Sequence, residues 1–401
     1  MTSACHRRDT CRLCGSRDLQ LVFALTPTPP ANAFLPAPEP QECFPLDVFF
    51  CNDCTHLQLL DVVDPSVLFA HYVYVSGTSP VFVNHFKRYA QDIAGKFELG
   101  KDALVIDIGS NDGTLLRQFK DLGCQVLGID PAEEISRQAT ASGIETINAF
   151  FTSELARTLP KADLAVANNV FAHIDNLRDV VAGIRSVLKP TGAFVFEVSY
   201  LKDVYEKTLF DTIYHEHLDY HAVRPLVRFF HENGMELIAA QSIDAHGGSL
   251  RGTAALSRPV ETSVAESVRE EARLGLDRPE TYRKFADKIK RLKTELVTLL
   301  RKLKAEGKRI AAFGAPAKAT TLMYHFGIGP DVVEFIVDDS PLKQGLFSPG
   351  YHIPVLPSSV IAERKPDYLI ILAWNFADSI IANNKAFTGH FIVPVPTVKI
   401  I

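Results

Sequence analysis

The chain has 401 residues, 47% hydrophobic and 22% charged, a balance that fits a globular protein of two or three domains. Its formal net charge of −5 offers no electrostatic footprint for nucleic acid or an anionic bilayer. No apolar run approaches the ~20 residues that span a membrane. The opening stretch Met1 to Arg8 lacks the apolar core of an export signal. With seven cysteines and no such signal, the reducing cytoplasm is the expected compartment, and disulfides are not expected.

Four of the cysteines come first, as Cys11-Arg-Leu-Cys14 and Cys51-Asn-Asp-Cys54. Each C-x-x-C pair lets two thiolates reach one ion, and two pairs complete a closed tetrahedral zinc site. Gly15 follows the first pair, the usual partner of a tight knuckle. The Pro-rich stretch between the pairs, "TPTPPANAFLPAPEP", is too poor in periodic apolar residues to form a sizeable core. A structural zinc is therefore expected to staple a module over residues 1–70. Cys5, Cys43 and Cys124 read as bystanders.

From Asp102 the pattern changes. "ALVIDIGSNDGTLLRQF" reads as a buried strand ending at Asp107, a Gly-rich turn and an amphipathic helix, and "QVLGID" as a second strand ending at Asp130. Their separation suits adjacent strands of a βαβ unit with a ligand crevice at the carboxyl ends. Gly109 lets backbone approach a ligand there, and Asp130 can accept hydrogen bonds from a ribose diol. The turn is neither G-x-G-x-x-G nor a Walker loop, so a dinucleotide or triphosphate fits poorly. The form D-x-G-x-x-x-G, here Asp107, Gly109 and Gly113, resembles the adenosylmethionine pocket of class I methyltransferases. That resemblance implies cofactor contacts from Asn111, from Asn148 or Phe150 beside the adenine, and from Asn168 after the fourth strand. "ADLAVANNVFAHI" and "AFVFEVSYL" have the apolar runs of further central parallel strands.

Residues 213–220, "IYHEHLDY", gather two histidines, a glutamate and two tyrosines. Extended backbone puts Tyr214, Glu216 and Leu218 on one face and His215 and His217 on the other. A turn regroups them, and the spacing leaves both arrangements open. A catalytic metal is disfavoured, because no second H-x-E unit accompanies the histidines. In "HGGSLRG", Arg251 is placed to contact a diphosphate or to close a turn over it.

The charged stretch from Val260 to Lys304 has the period of a solvated helix packed by Val and Leu, and reads as a connector. "KRIAAFGAPAKATTLMYHF", "VEFIVDDSPLKQG" and "PDYLIILAWNFA" then repeat strand, Gly turn and helix as a second, smaller Rossmann-like unit. Gly314 and Ala315 open its helix, with Lys318 one turn in, within reach of a phosphate; a scaffold without ligand is the alternative. The fold class is thus α/β, with an N-terminal zinc module, a class I methyltransferase core over 71–258, a helical connector over 259–305 and a C-terminal Rossmann-like domain over 306–401.

The zinc knuckles, "YVYVSGTS", "DIGSNDGTLL", "NNVFAHIDN", "YHEHLDYH", "HGGSLRG", "FGAPAKATTL", "VDDSPLKQGLFSPGYHIPV" and "LAWNFA" occur in this order. Together they resemble the sugar C-methyltransferases that act on nucleotide-linked 4-keto-6-deoxyhexoses, such as those making tetronitrose and other 3-C-methyl branched sugars. The resemblance runs from about Cys11 to the C-terminus. It departs at Ala319, where the family usually reads Gly, and near His221, where it reads Ser or Tyr.

What the resemblance implies is C3-methylation of a sugar carried by thymidine or guanosine diphosphate, with adenosylmethionine as cofactor and zinc as a structural ion. A ketone at C4 makes the C3 proton removable through an enolate, so the site needs a base near C3 and a group that stabilises charge on the C4 oxygen. The family places Tyr214, Glu216 and His217 in the active site, with His217 the base. Glu216 orients a neighbouring histidine or binds a sugar hydroxyl. His173 or Tyr214 stabilises the enolate. Tyr72, as a catalytic group, or Tyr74 reaches over as a lid. Ser76, Asn169, Glu197, Arg251 and Lys318 complete the substrate side. The expected partner is a small nucleotide sugar, with no nucleic acid and no membrane, and a monomer is expected with a dimer left open. Two rivals stand beside this reading: an O- or N-methyltransferase of a sugar or small metabolite, and a non-catalytic zinc adaptor, against which the intact Asp107, Gly109 and Asp130 speak.

Overall fold

A computed structural model describes residues 4–69, 80–245 and 247–401, apart from the side chains of residues 69 and 80–82. Tyr72, Tyr74 and Ser76 lie outside the described residues.

The apolar runs of the middle region form a seven-stranded sheet. Its strands are β1 (Leu104–Ile108), β2 (Gln125–Asp130), β3 (Thr146–Asn148), β4 (Ala162–Asn168), β5 (Leu188–Ser199), β6 (Glu236–Ile243) and β7 (Ser249–Ala255). They lie in the order 3-2-1-4-5-7-6, with β7 antiparallel to β5 and β6 and the other neighbours parallel. Helices cover both faces of such a sheet, which is why its central strands read as continuous apolar runs. Val105, Ile106, Leu164, Val166, Phe194 and Val195 are all fully buried. This is the class I methyltransferase core, and its carboxyl-terminal edge carries the crevice.

The N-terminal module is more substantial than its sequence suggests. The strands Leu19–Thr28 and Phe44–Cys51 pair antiparallel, and Leu57–Leu59 extends them. Val22, Phe23, Leu25, Leu46, Val48 and Phe50 form a buried layer, but they do so against a distant partner. Residues 259–305, expected to be a connector, are two helices, Thr262–Leu274 and Pro279–Ala305, separated at Gly275 with φ 73°. The second helix buries Tyr282, Phe285, Ile289, Leu292, Leu296 and Leu300 at helical spacing. Its Phe285 meets Phe23 at 5.9 Å and its Tyr282 meets Phe50 at 5.7 Å between ring centroids. The helix is thus a shared wall, solvated on one face only.

The C-terminal sheet is built on Ile310–Phe313, with Ile336–Val337 and Tyr368–Ile371 parallel on either side. It repeats a device of the core. The Asn111 amide donates to the Asp130 carboxylate at 2.8 Å, and the Ala315 amide donates to Asp338 at 2.6 Å.

The Pro-rich stretch of the module reaches this C-terminal unit. Leu35 bridges to Phe347, the Gly350 amide donates to the Gln41 side chain, and the Thr320 hydroxyl donates to the Ala31 carbonyl.

Candidate active site

Two places on this scaffold gather chemistry, and a metal site holds the module beside them. The Cys11 and Cys54 sulfurs are 3.6 Å apart, those of Cys14 and Cys51 are 3.5 Å apart, and all four lie within 4.8 Å of one another. Four thiolates around one zinc at about 2.3 Å stand about 3.8 Å apart, so this donor set fits the ion. With four protein ligands it keeps no open position for chemistry. Cys5, Cys43 and Cys124 do not belong to the cluster.

The first of the two places is a cavity of about 270 Å³ at the carboxyl ends of β1, β2 and β4. Gly109, Asn111, Asp130, Phe150, Asn168, Asn169 and His173 all contribute to its wall. Asp130 accepts the amides of Asn111 and Ala132 at 2.8 and 2.9 Å, which fixes its carboxylate at the crevice. Burial still raises its pKa, and burial together with Asp130 pushes that of the neighbouring Asp107 far above the usual carboxylate range. Phe150 exposes 58% of its surface at this wall, an apolar ring suited to stacking on a heterocycle. A ribose-accepting carboxylate and an open aromatic ring are what an adenosine moiety requires, so these residues fit adenosylmethionine.

The glycines of this turn are also fixed by packing. A side chain on Gly109, at φ 74°, would meet Val170 at 2.3 Å, and one on Gly113 would meet Ile144 at 2.9 Å. Both are needed for packing of the turn itself. Asn148 is not part of the cavity wall; its side chain donates to the Asp130 carbonyl at 3.1 Å.

The second place is "IYHEHLDY", which is a tight turn and not an extended strand. The His217 amide donates to the Tyr214 carbonyl at 2.8 Å, and only Asp219–Tyr220 continues as a strand, pairing with Leu57–Leu59 of the zinc module. The turn sends its side chains to three different neighbours. His215 goes into the module, where its Nε2–H donates to the Phe44 carbonyl at 3.1 Å; burial lowers its pKa to about 4. Glu216 accepts the Asn32 amide at 2.8 Å and lies near Lys343 of the C-terminal unit. Burial raises the Glu216 pKa to about 7, against the opposing pull of Asn32 and Lys343.

Tyr214 and His217 come together. The His217 Nδ1–H donates to the Thr212 carbonyl at 2.8 Å, which leaves Nε2 as the acceptor for the Tyr214 hydroxyl at 2.9 Å. The His217 ring stacks on His173 with centroids 5.1 Å apart. Burial lowers the His217 pKa to about 4, and burial with the adjacent His217 lowers that of His173 to about 3. Both imidazoles are therefore neutral at pH 7. The Leu218 amide donates to the Ala172 carbonyl at 2.9 Å, tying the turn to the loop after β4. Through His173, the histidine pair reaches the cavity wall.

Glu197 and Arg251 form a buried pair at 2.7 Å, with His85 on the other Glu197 oxygen at 2.7 Å and the Arg251 guanidinium 4.5 Å above the Tyr89 ring. Burial alone would raise Glu197, but His85 and Arg251 outweigh it and hold it below the ordinary value. The sequence reading missed His85, Asn32, Lys343 and the Thr212 carbonyl. Lys343 stood inside a quoted motif, but its partner Glu216 is distant in the chain.

Comparison with known proteins bears on the whole chain. Residues 11–69 match a putative zinc binding domain, 83–240 a methyltransferase domain, and 244–396 a C-methyltransferase C-terminal domain. The C-methyltransferase NovU of Streptomyces niveus is 36% identical over 98% of this chain and 97% of its own length. The chain belongs to this C-methyltransferase family. An ubiquinone biosynthesis O-methyltransferase of Burkholderia pseudomallei is 27% identical over only 35% of the chain and 68% of its own length. A magnesium protoporphyrin IX methyltransferase from Synechocystis PCC 6803 covers 44% of this chain and is itself covered to 82%, at 14% identity and a TM-score of 0.34, too slight a likeness to bear on function. With this family membership, the protein is an adenosylmethionine-dependent C-methyltransferase with a four-cysteine zinc site. Its substrate is a small molecule, and among the described residues no helix is long and apolar enough to cross a membrane.

Proposed function

We propose that the protein methylates C3 of a 4-keto-6-deoxysugar linked to thymidine or guanosine diphosphate. Methylation at carbon needs a carbon nucleophile, and the observation that carries this reading is the Tyr214–His217 pair, held in one tautomer against His173 at the cavity wall. A neutral imidazole with its Nδ1–H anchored has one basic nitrogen, Nε2, and a phenol beside it has one proton to give. In the proposed step His217 Nε2 takes the C3 proton, the C–H electron pair becomes the C3–C4 double bond, and the carbonyl π pair moves onto the C4 oxygen. Once Nε2 is protonated it no longer accepts from Tyr214, so the phenol turns its hydrogen bond to the enolate oxygen. His173 lies against the same ring and offers a second donor on the cavity side. Asp130 and Phe150 would hold the adenosine of adenosylmethionine, which when bound would supply an electrophilic methyl, its S–CH3 bond breaking to leave adenosylhomocysteine.

A base at about 4 is poorly matched to neutral pH. The negative charges of an incoming diphosphate favour the imidazolium and draw His217 upward, which matches base strength to the bound substrate. Incubation with methyl-labelled adenosylmethionine and a panel of thymidine and guanosine diphosphate 4-keto sugars tests the reading. One member gains label at C3; no labelled product, or label on oxygen or nitrogen, defeats it.

A further inference from the structure

A buried charged cluster occupies the place where the C-terminal unit meets the segment leading into the turn. Asp211 is fully buried, and its carboxylate accepts the Trp374 indole N–H at 2.6 Å. The Lys318 ammonium lies 4.0 Å above the Trp374 ring and donates to the Asn375 side chain at 2.7 Å. Burial weakens the charged forms of both Lys318 and Asp211, and each partly restores the other. Burying two opposite charges away from water is costly, and replacing such a pair with apolar residues often stabilises a protein. The cluster therefore calls for a reason beyond stability.

Geometry supplies one. On the same helix as Lys318, Ala317–Phe326, the Thr321 hydroxyl donates to the Ile213 carbonyl at 2.8 Å. The C-terminal unit thus grips Asp211 by its side chain and Ile213 by its backbone. Between them stands Thr212, whose carbonyl takes the His217 Nδ1–H at 2.8 Å. A carbonyl clamped on both sides fixes which imidazole nitrogen carries the proton, much as an orienting acceptor does for a histidine base elsewhere.

We propose that Lys318, Trp374 and Asp211 are positioning residues that hold the Thr212 carbonyl against His217 and so keep Nε2 as the proton-accepting nitrogen. This rests on the reading of His217 as the base. On this account the Lys318 ammonium is spent inside the protein and is not a phosphate ligand, although its place one turn into a helix after a Gly turn suggests one.

Trp374→Phe keeps a six-membered ring and removes the N–H with the rest of the pyrrole ring, and Lys318→Met removes the charge while nearly keeping the side-chain length. Two measurements separate the possibilities. The first is the tautomer of His217 in the full-length zinc protein without substrate, read from nitrogen chemical shifts of histidine-labelled protein and assigned with His217→Gln. The wild type shows a fixed Nδ1–H form, and both variants show a mixture. The second is solvent-deuterium exchange at C3 of the 4-keto sugar nucleotide. Both variants lose roughly 10- to 100-fold in kcat with KM within about twofold. A raised KM at unchanged kcat for Lys318→Met would show a phosphate contact and overturn the proposal. An unchanged His217 tautomer in both variants overturns it as well. Should the wild type give no exchange on any sugar, the proposed function fails, while the tautomer measurement still decides whether the clamp operates.

Discussion

Glu216 and His217 are neighbours in the chain, yet they end in different chemistry. His217 faces Tyr214 and His173, while Glu216 is drawn toward Asn32 and Lys343. Burial lifts the Glu216 carboxyl from its ordinary 4.5 to about 7, so the folded protein holds a proton there that the unfolded chain has released. The resulting stabilisation is fully present below pH 4.5 and is lost as the pH rises through about 7. Glu216→Gln, which cannot ionise, should gain stability relative to the wild type across that window, by up to ~3 kcal/mol, as followed by thermal midpoints between pH 4.5 and 8. A difference that stays flat with pH would show that Glu216 is charged throughout. The residue types of this site were legible in "YHEH", while the roles expected of them came from the family resemblance. Their partners were not legible, because Asn32 stands 184 residues from Glu216 and no local pattern records such a contact.

At the scale of elements, the zinc module does more than hold itself together. Its sheet takes Asp219–Tyr220 as a fourth strand, its Phe44 carbonyl receives His215, and its Asn32 reaches Glu216. Loss of the metal should therefore disturb the turn although no zinc ligand belongs to the turn or the cavity. A Cys14→Ser, Cys51→Ser double variant should fall from one bound zinc to none, lower the thermal midpoint by roughly 10 °C and lose C-methylation more than tenfold. A zinc-free variant with full activity would separate the module from the site. The paired C-x-x-C spacing made the ion predictable, and the apolar runs made the central sheet predictable. The turn at Tyr214–His217 was not legible, since it contains no Gly, Pro, Asn or Asp to mark it. The module's core was hidden for another reason. Its apolar residues alternate along strands whose covering layer, the helix Pro279–Ala305, lies more than two hundred residues downstream.

Across the whole molecule, three units converge on eight residues. The module pairs with the end of "IYHEHLDY", the methyltransferase core holds Leu218 and stacks His173 on His217, and the C-terminal unit binds Ile213 through Thr321 and faces Glu216 with Lys343. A substrate that reaches this junction meets a cavity for the methyl donor on one side and a neutral histidine with an anchored Nδ1–H on the other. On the proposed reading, the core supplies most of the donor site, with Pro65 of the module also on its wall, and the two flanking units help to set the acid–base geometry. The central claim is that His217 makes the carbon nucleophile. Solvent-deuterium exchange at C3 of a 4-keto sugar nucleotide, followed by proton NMR without adenosylmethionine, tests it most directly. The wild type should wash in deuterium at C3, and His217→Ala should slow that exchange by about 100-fold or more; exchange retained at the wild-type rate in His217→Ala would contradict the account.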